Sequence, residues 1–335
     1  MMNVLVTGAA GFIGSHLVDS ILQDGHNVIG LDRFSKGKRQ HQGGNKNLKK
    51  LKLIHLDVAN KQEVKVSYFK NIDWVFHLAG LSNIVPSIES PLLYHQVNVS
   101  GTVHVLEASR TAGVKRFIYA ASGSCYGIPD VYPTPETAPI RLEYPYALTK
   151  YLGEVYTLHW GQVYKLPVLS LRLFNVYGPR VRTYGTYGPV ISIFMAQKLK
   201  GAPYTVVGNG TQTRDFTYIS DVVDAFKIAA KSNIEGDYFN VGSGHTYSIN
   251  RLVELLEGEV VHIPKRPGEP DCTYADITKI KRVLGWKSKV TLEQGIKKVL
   301  KDIDYWKSAP VWTPKSIKKA TKDWFKYLGK NNKKI

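Results

Sequence analysis

The chain has 335 residues and a formal net charge of +18, with 43% of its residues hydrophobic and 21% charged. That length exceeds one typical core and fits two associated domains, the composition is that of a globular chain, and no apolar run approaches the roughly 18 residues of a membrane span. Cys125 and Cys272 make neither a disulfide framework nor a metal cluster, which points to a reducing, cytoplasmic setting and no bound metal.

Alternating strands and helices fill the first half. Met1–Val6 carries no cationic leader and reads as the start of a first strand, Asn3–Thr7, rather than a signal peptide. Ile13, Leu17 and Ile21 share one side of a helix over Phe12–Gln23. Further strands are expected at Val28–Leu31, Leu53–Leu56, Asp73–His77, Arg116–Ala120 and Val168–Leu171, with helices at Tyr94–Ala112 and Tyr146–Tyr164 among the connections. Strands separated by helices make a parallel sheet covered on both faces, which binds ligands at the carboxyl ends of its strands.

After Arg172 the regularity breaks. Two Gly/Pro-rich loops precede a helix at Val190–Lys200, and Arg214–Ile219 and Tyr238–Val241 read as strands around a helix at Asp221–Ala230, possible returns to the first sheet. Ser248 caps a helix ending near Gly258. Asn331–Ile335 reads as a frayed tail. The positive charge is concentrated. Lys279–Ile335 holds 17 Lys or Arg against 4 Asp or Glu, and Arg33–Lys52 is basic with no acid. Such a balance serves nucleic acid, an anionic membrane or a doubly charged pyrophosphate, and no nucleic-acid motif accompanies it.

Three motifs carry chemistry. Gly8, Gly11 and Gly14 follow a strand and open a helix, so they permit a tight turn and let a pyrophosphate reach backbone N–H groups at the helix N-terminus. Asp32 ends the second strand, where its carboxylate can accept from both ribose hydroxyls of an adenosine; that favours NAD over NADP, although Arg33 next to it suits a 2′-phosphate. Asp57 is placed either to meet the adenine or to cap a turn. Ser122 leaves a strand in a run of small residues. Tyr146 and Lys150, four residues apart, share one helix face, and a positive charge lowers a phenol's pKa from its usual value of about 10.

Together these residues resemble the extended short-chain dehydrogenase/reductases that act on nucleotide sugars, over about residues 2 to 306. The resemblance is carried by Thr7-Gly8-x-x-Gly11-x-x-Gly14, Asp32, Asp57-Val58, His77-Leu78-Ala79-Gly80, Asn98, Ser122, Tyr146-x-x-x-Lys150, Leu171–Pro179, Arg214-Asp215-Phe216 and Arg266-Pro267-Gly268-Glu269. It is similar above all to the UDP-sugar 4-epimerases. It implies a Rossmann-like doubly wound NAD-binding domain (1–174 and 213–244) and a smaller C-terminal α+β substrate domain (175–212 and 245–335). Tyr146 is then the base, Lys150 its electrostatic partner and a nicotinamide-ribose ligand, and Ser122 the hydroxyl sharing the proton. Gly8, Gly11, Phe12, Ile13, Gly14, Asp32, Asp57, Val58, Leu78, Ala79, Gly80, Asn98 and Phe174 line the cofactor. Ser122, Ser124, Asn175, Val190, Arg214, Arg266, Glu269 and Thr273 face the substrate.

The resemblance also discriminates. Sugar-nucleotide 4,6-dehydratases carry an acid within two residues of the position matching Ser122, and here those residues are Gly123 and Ser124. Thr273 stands where a tyrosine excludes a 2-acetamido group, so N-acetylhexosamines are expected to fit. The implied reaction is oxidation and re-reduction at C4 of a UDP-hexose or UDP-N-acetylhexosamine by a homodimer pairing through Tyr94–Ala112 and Tyr146–Tyr164. Two features depart from the family pattern. Phe34–Lys52 is a candidate lid. Lys315–Leu328 has Ile317, Ala320, Thr321, Trp324 and Leu328 at helical spacing, either a helix packed on its own protein or a partner, or an interfacial membrane helix. A C4 reductase, a dehydratase, a non-enzymatic NAD-binding protein and a membrane-associated protein are the alternatives.

Overall fold

The computed structural model describes residues 1–33, 48–181 and 188–329. Most of the candidate lid and the frayed tail lie outside them. In chain order the first half runs β1 Asn3–Thr7, α1 Phe12–Gln23, β2 Asn27–Asp32, β3 Leu51–His55, β4 Trp74–His77, α2 Ile84–Glu89, α3 Pro91–His95, α4 Gly101–Ala112, β5 Arg116–Ser122, α5 Pro145–Tyr164 and β6 Val168–Leu173. There follow β7 Val176–Tyr177, α6 Val190–Leu199, β8 Tyr204–Val207, β9 Thr213–Arg214, β10 Thr217–Tyr218, α7 Ile219–Lys231, β11 Asp237–Val241, β12 Tyr247–Ser248, α8 Ile249–Leu256, β13 Val260–Ile263, α9 Thr278–Leu284, α10 Leu292–Lys301, α11 Pro314–Ala320 and α12 Lys322–Leu328.

Seven strands form one parallel sheet in the order β11-β6-β5-β4-β1-β2-β3. This is a Rossmann-like doubly wound sheet. The chain moves outward from β1 through β2 to β3, then crosses to β4 on β1's other side, so the switch point lies between β1 and β4, where such sheets bind ligands. The central strands are apolar on both faces because helices cover both. Val4 and Val6 pack under α1 and α7, and Leu5, Val75 and Phe117 pack under α4.

Three expectations are corrected. The helix expected over Tyr94–Ala112 is interrupted by a π turn at Gln96–Ser100. The strand expected over Arg214–Ile219 is two short pieces. β9 pairs with β12 and β10 with β7, and only β11 returns to the main sheet. The buried carboxylate of Asp215 breaks the run: it accepts from Ser243 N, Ser243 Oγ and Ala275 N, which anchors the backbone there instead of in a ladder. Ser248 caps α8 as expected, its Oγ accepting from Arg251 N at 3.0 Å.

The C-terminal segment packs on its own chain. Ile317 and Trp324 are buried in the main core, Gln197 Nε2 donates to Trp312 O, and α12 lies against α2. No described helix is long and apolar enough to cross a membrane.

Candidate active site

The turn after β1 is built by exclusion. A Cβ on Gly14 would lie 2.1 Å from Gly8 O, and one on Gly8, whose φ is +69°, would lie 2.8 Å from Ala79 N. The first glycine lets the loops after β1 and β4 touch at the switch point, and the third lets α1 fold back onto the turn. Gly11 is the N-cap of α1 and offers no side-chain cap, and the first turn holds no acid. Its N–H groups and the positive end of the helix dipole are left for an anion, a pattern that fits the pyrophosphate of a dinucleotide.

Asp32 stands at the end of β2 and its Oδ2 accepts from Ala10 N at 3.0 Å, which fixes the carboxylate beside the glycine turn. Arg33 pairs with Asp57 at 3.1 Å, and Asp57 Oδ1 accepts from Ala59 N. Asp57 therefore both caps a turn and holds Arg33. Val58 is buried under Gly101 and takes no polar role through its side chain.

Ser122 ends β5 and is hydrogen-bonded to Tyr146 at the start of α5, and Lys150 is buried one turn further along that helix. Ser122 Oγ accepts from Ser124 Oγ at 2.9 Å and from Ser124 N. Burial raises the Tyr146 phenol, and its hydrogen bond with Ser122 works in the opposite direction. Burial lowers Lys150 itself to about 7, with Glu154 one helical turn further on pulling it back up. Its ammonium sits over the Tyr119 ring, 4.3 Å from the centroid, and a Cβ on Gly80 would lie 3.9 Å from it.

A chain of hydrogen bonds holds the loop after β4. Ala79 N donates to Thr7 Oγ1 at 3.1 Å, Thr7 meets His77 Nδ1 at 2.7 Å, His77 Nε2 meets Thr102 Oγ1 at 3.0 Å, and Thr102 donates to Asn98 O at 2.7 Å. The donor at one end, Ala79 N–H, and the acceptor at the other, Asn98 O, make this a one-way chain, with the proton of a neutral His77 on Nε2. Burial lowers His77 to about 3, so it stays neutral. The π turn brings the Asn98 side chain to Leu81, accepting from Leu81 N and donating to Leu81 O and Thr149 Oγ1. Asn98 thus ties the Leu78–Leu81 loop to α5.

On the substrate side, Phe174 closes over Gly123, where a Cβ would lie 2.6 Å from its ring. Asn175 has a positive φ of 25° and its Nδ2 donates to Asp215 O and to Thr273 Oγ1. A non-glycine residue in that region is a strained position of the kind found at functional sites. Arg214 Nη2 donates to Glu269 Oε1 at 2.9 Å, and Arg266 Nε lies 3.4 Å from Glu269 Oε2. Arg214 and Glu269 line a cavity of about 360 Å³ with Val207, Gln212 and Lys265. Val190 begins α6, partly buried against the core.

The sequence reading missed the supports. Thr7, Thr102 and Thr149 are ordinary polar residues in apolar segments, and only the three-dimensional neighbours reveal them. Glu154 was findable, since it continues the face of Tyr146 and Lys150 at the next four-residue step. Among the described residues no group of His, Cys, Asp and Glu could hold a metal ion.

Residues 4–242 match the model of the "NAD dependent epimerase/dehydratase family". The UDP-glucose 4-epimerase of Mycolicibacterium smegmatis is 38% identical over 307 residues, covering 89% of this chain and 97% of that enzyme. The crystal structure of Thermotoga maritima UDP-glucose 4-epimerase with UDP-glucose superimposes with a TM-score of 0.83 at 34% identity, over 92% of this chain and 99% of that one. The UDP-N-acetylglucosamine 4-epimerase of Methanobrevibacter ruminantium, solved with UDP-N-acetylmuramic acid, gives a TM-score of 0.85 at 30% identity, over 92% and 98%. With its glycine cradle at the switch point and its Ser, Tyr and Lys at the end of β5, the chain belongs to the NAD dependent epimerase/dehydratase family.

Proposed function

We propose that the protein is an NAD-dependent 4-epimerase of a nucleotide sugar, either a UDP-hexose or a UDP-N-acetylhexosamine. The observation that carries this reading is Ser122 hydrogen-bonded to Tyr146, with the Lys150 ammonium one helical turn on beside Gly80, in the loop that packs on Gly8 of the glycine turn. Gly8, Gly11, Phe12, Ile13 and Gly14 would hold the pyrophosphate, Asp32 the adenosine ribose, and Leu78–Gly80 with Lys150 the nicotinamide end. When bound, NAD supplies the place where a hydride is kept between oxidation of the carbinol carbon and its reduction, so net redox is zero.

The chain's own residues handle the proton. Tyr146 Oη takes the proton of the C4 hydroxyl and later returns it. Ser122 Oγ, oriented by the hydrogen bonds it accepts from Ser124 N and Oγ, holds that hydroxyl in line. Lys150 supplies the positive charge that a forming phenolate needs, and Glu154 offsets part of the burial that lowers its pKa. Arg214 and Arg266 hold the diphosphate, with Glu269 orienting both, and Asn175 and Val190 line the nucleotide.

Two observations favour epimerisation over dehydration. The ring of Phe174 leaves no room for a side chain at position 123, and Ser124 is a hydroxyl already given to Ser122. Neither position can supply the acid that protonates a departing C6 hydroxyl. Thr273 is small and tied to Asn175, which leaves space for a 2-acetamido group, and one structural relative is named for such a substrate.

The division into a cofactor domain (1–174 and 213–244) and a substrate domain (175–212 and 245–335) follows the same assignment. The exposed apolar side chains of α5, Leu148, Val155, Tyr156, Val163 and Tyr164, together with Leu92 and Leu93 of α3, suit a homodimer interface. A cytoplasmic setting agrees with the two free thiols.

The deciding experiment incubates the protein and NAD+ with a panel of UDP-, GDP- and dTDP-sugars and reads the products by proton NMR. We expect the C4 epimer of a UDP-sugar with no accumulation of NADH. A 4-keto-6-deoxy product would make it a dehydratase, and NADH consumption in a parallel incubation supplied with NADH and a 4-keto nucleotide sugar a reductase. Retained binding of NAD with no turnover of any sugar would leave a non-enzymatic binding protein.

A further inference from the structure

The C-terminal helix α12 ends its packing inside the substrate site. Trp324 is 2% exposed. Its Nε1 donates to Pro267 O at 2.7 Å, within the Arg266–Glu269 loop. The Arg266 guanidinium lies over its ring, 5.5 Å from the centroid. Its other neighbour is Tyr144, with ring centroids 6.3 Å apart, and Tyr144 in turn stacks parallel to Tyr146 at 6.4 Å and 4°. One indole therefore bridges the loop that carries Arg266 and the start of the helix that carries the reacting phenol.

The choice of an indole has an electrostatic consequence. Arg214 and Arg266 both meet the Glu269 carboxylate. A second carboxylate in place of Trp324 would add negative charge beside Arg266. An aromatic face attracts a guanidinium without neutralising it. The indole holds the arginine in place and adds no negative charge beside it.

We propose that Trp324 is a positioning residue of the substrate site: it fixes Arg266 and its loop against Tyr144 and thereby sets the affinity for the diphosphate of the nucleotide sugar. The C-terminal extension is then a wall of the site. This rests on the reading of Arg266 as a diphosphate ligand.

The test uses the full chain with Trp324→Ala and Trp324→Phe, measuring Kd for UDP and for NAD+ by calorimetry, the kcat and KM of epimerisation, and the thermal melt. Trp324→Ala is expected to weaken UDP binding and raise KM by about tenfold, the size of one lost cation–π contact plus one hydrogen bond. NAD+ affinity should stay within about twofold, since Trp324 touches the Arg266 loop and Tyr144 and none of the glycine-turn or Leu78–Gly80 residues proposed for the cofactor; any loss of kcat reads the Tyr144–Tyr146 stack. Trp324→Phe keeps the ring face and loses the N–H, so it should recover most of the UDP affinity. Wild-type UDP affinity in Trp324→Ala overturns the proposal, as does a parallel loss of UDP and NAD+ affinity with a lowered melt. If Trp324→Ala does not fold, Trp324→Leu decides: it fills the volume without a π face or an N–H, so a raised KM and UDP Kd at unchanged NAD+ affinity support the proposal, and wild-type values overturn it. Failure of the wild-type protein to bind UDP at all would instead remove the diphosphate reading on which this inference stands.

Discussion

Lys150 holds its ammonium over the ring of Tyr119, 4.3 Å from the centroid, and Tyr119 Oη donates back to Lys150 O at 3.2 Å. Strand β5 under α5 thus supplies a π face to the lysine and a hydrogen bond to its backbone. A buried ammonium with an aromatic face and a carboxylate a turn away is compensated only in part, which is why burial prevails and its pKa falls to about 7.

That shift has a pH signature in stability. The lysine titrates near 10.5 unfolded and near 7 folded, so the unfolded chain binds more protons between those values. The cost of folding the lysine therefore grows as pH falls from about 10 to about 7 and is constant below that. Lys150→Met removes the titration. Its melting temperature relative to wild type should rise steadily as pH is lowered from 9.5 to 7 and level off below. A difference that is flat across this range would mean that Lys150 keeps an ordinary pKa.

Glu154 and Arg172 form a second buried pair. The carboxylate accepts from Arg172 Nη2 at 2.6 Å and from Ser170 Oγ at 2.8 Å, and both side chains are almost fully enclosed. Glu154→Gln preserves shape and strands the guanidinium, so we expect a loss of about 3–5 kcal/mol in urea unfolding. The same change removes the charge that raises Lys150, so Lys150 should titrate lower in the variant.

Asp215 is a carboxylate turned into a bracket. Burial lifts it to about 6 while Ser243 and Ala275 donate to it. In Asp215→Asn an amide NH2 must face one of these donors, which leaves it unsatisfied. The expected cost is about 1–3 kcal/mol of unfolding free energy. UDP affinity should fall with it, because Asn175 Nδ2 donates to the Asp215 carbonyl and Arg214 is the preceding residue. A variant as stable as wild type would show that the bracket is dispensable.

The cofactor half was legible because each of its rules is local. The apolar spacing of Ile13, Leu17 and Ile21 marks α1, and Gly8, Gly11 and Gly14 mark a turn that steric exclusion enforces. The π turn was invisible, since one extra residue in a turn leaves Val97 and Val99 apolar and still buried. The strand expected through Asp215 failed because the sequence shows alternation but not the three donors waiting elsewhere in the chain. Trp324 shows the same limit. Its helical spacing predicts that one face of α12 is covered, and nothing in that spacing says that the cover is the Arg266 loop.

Asn98 gives the sharpest separation of placement from chemistry. Its carboxamide makes three hydrogen bonds, two with the backbone of Leu81 and one with Thr149 of the catalytic helix. Asn98→Asp keeps one acceptor and loses both donors, so Leu81 O and Thr149 Oγ1 each lose a partner. Leu81 follows the Leu78–Gly80 loop proposed for the nicotinamide end, and loosening it should weaken NAD+ binding by about tenfold, the equivalent of one net hydrogen bond to an ordered loop. Affinity for UDP should be untouched, because the Arg214–Glu269 pair lies on the other side of the site. Calorimetry with each ligand checks the split. Equal weakening for NAD+ and UDP would show that Asn98 supports the fold as a whole rather than the cofactor loop.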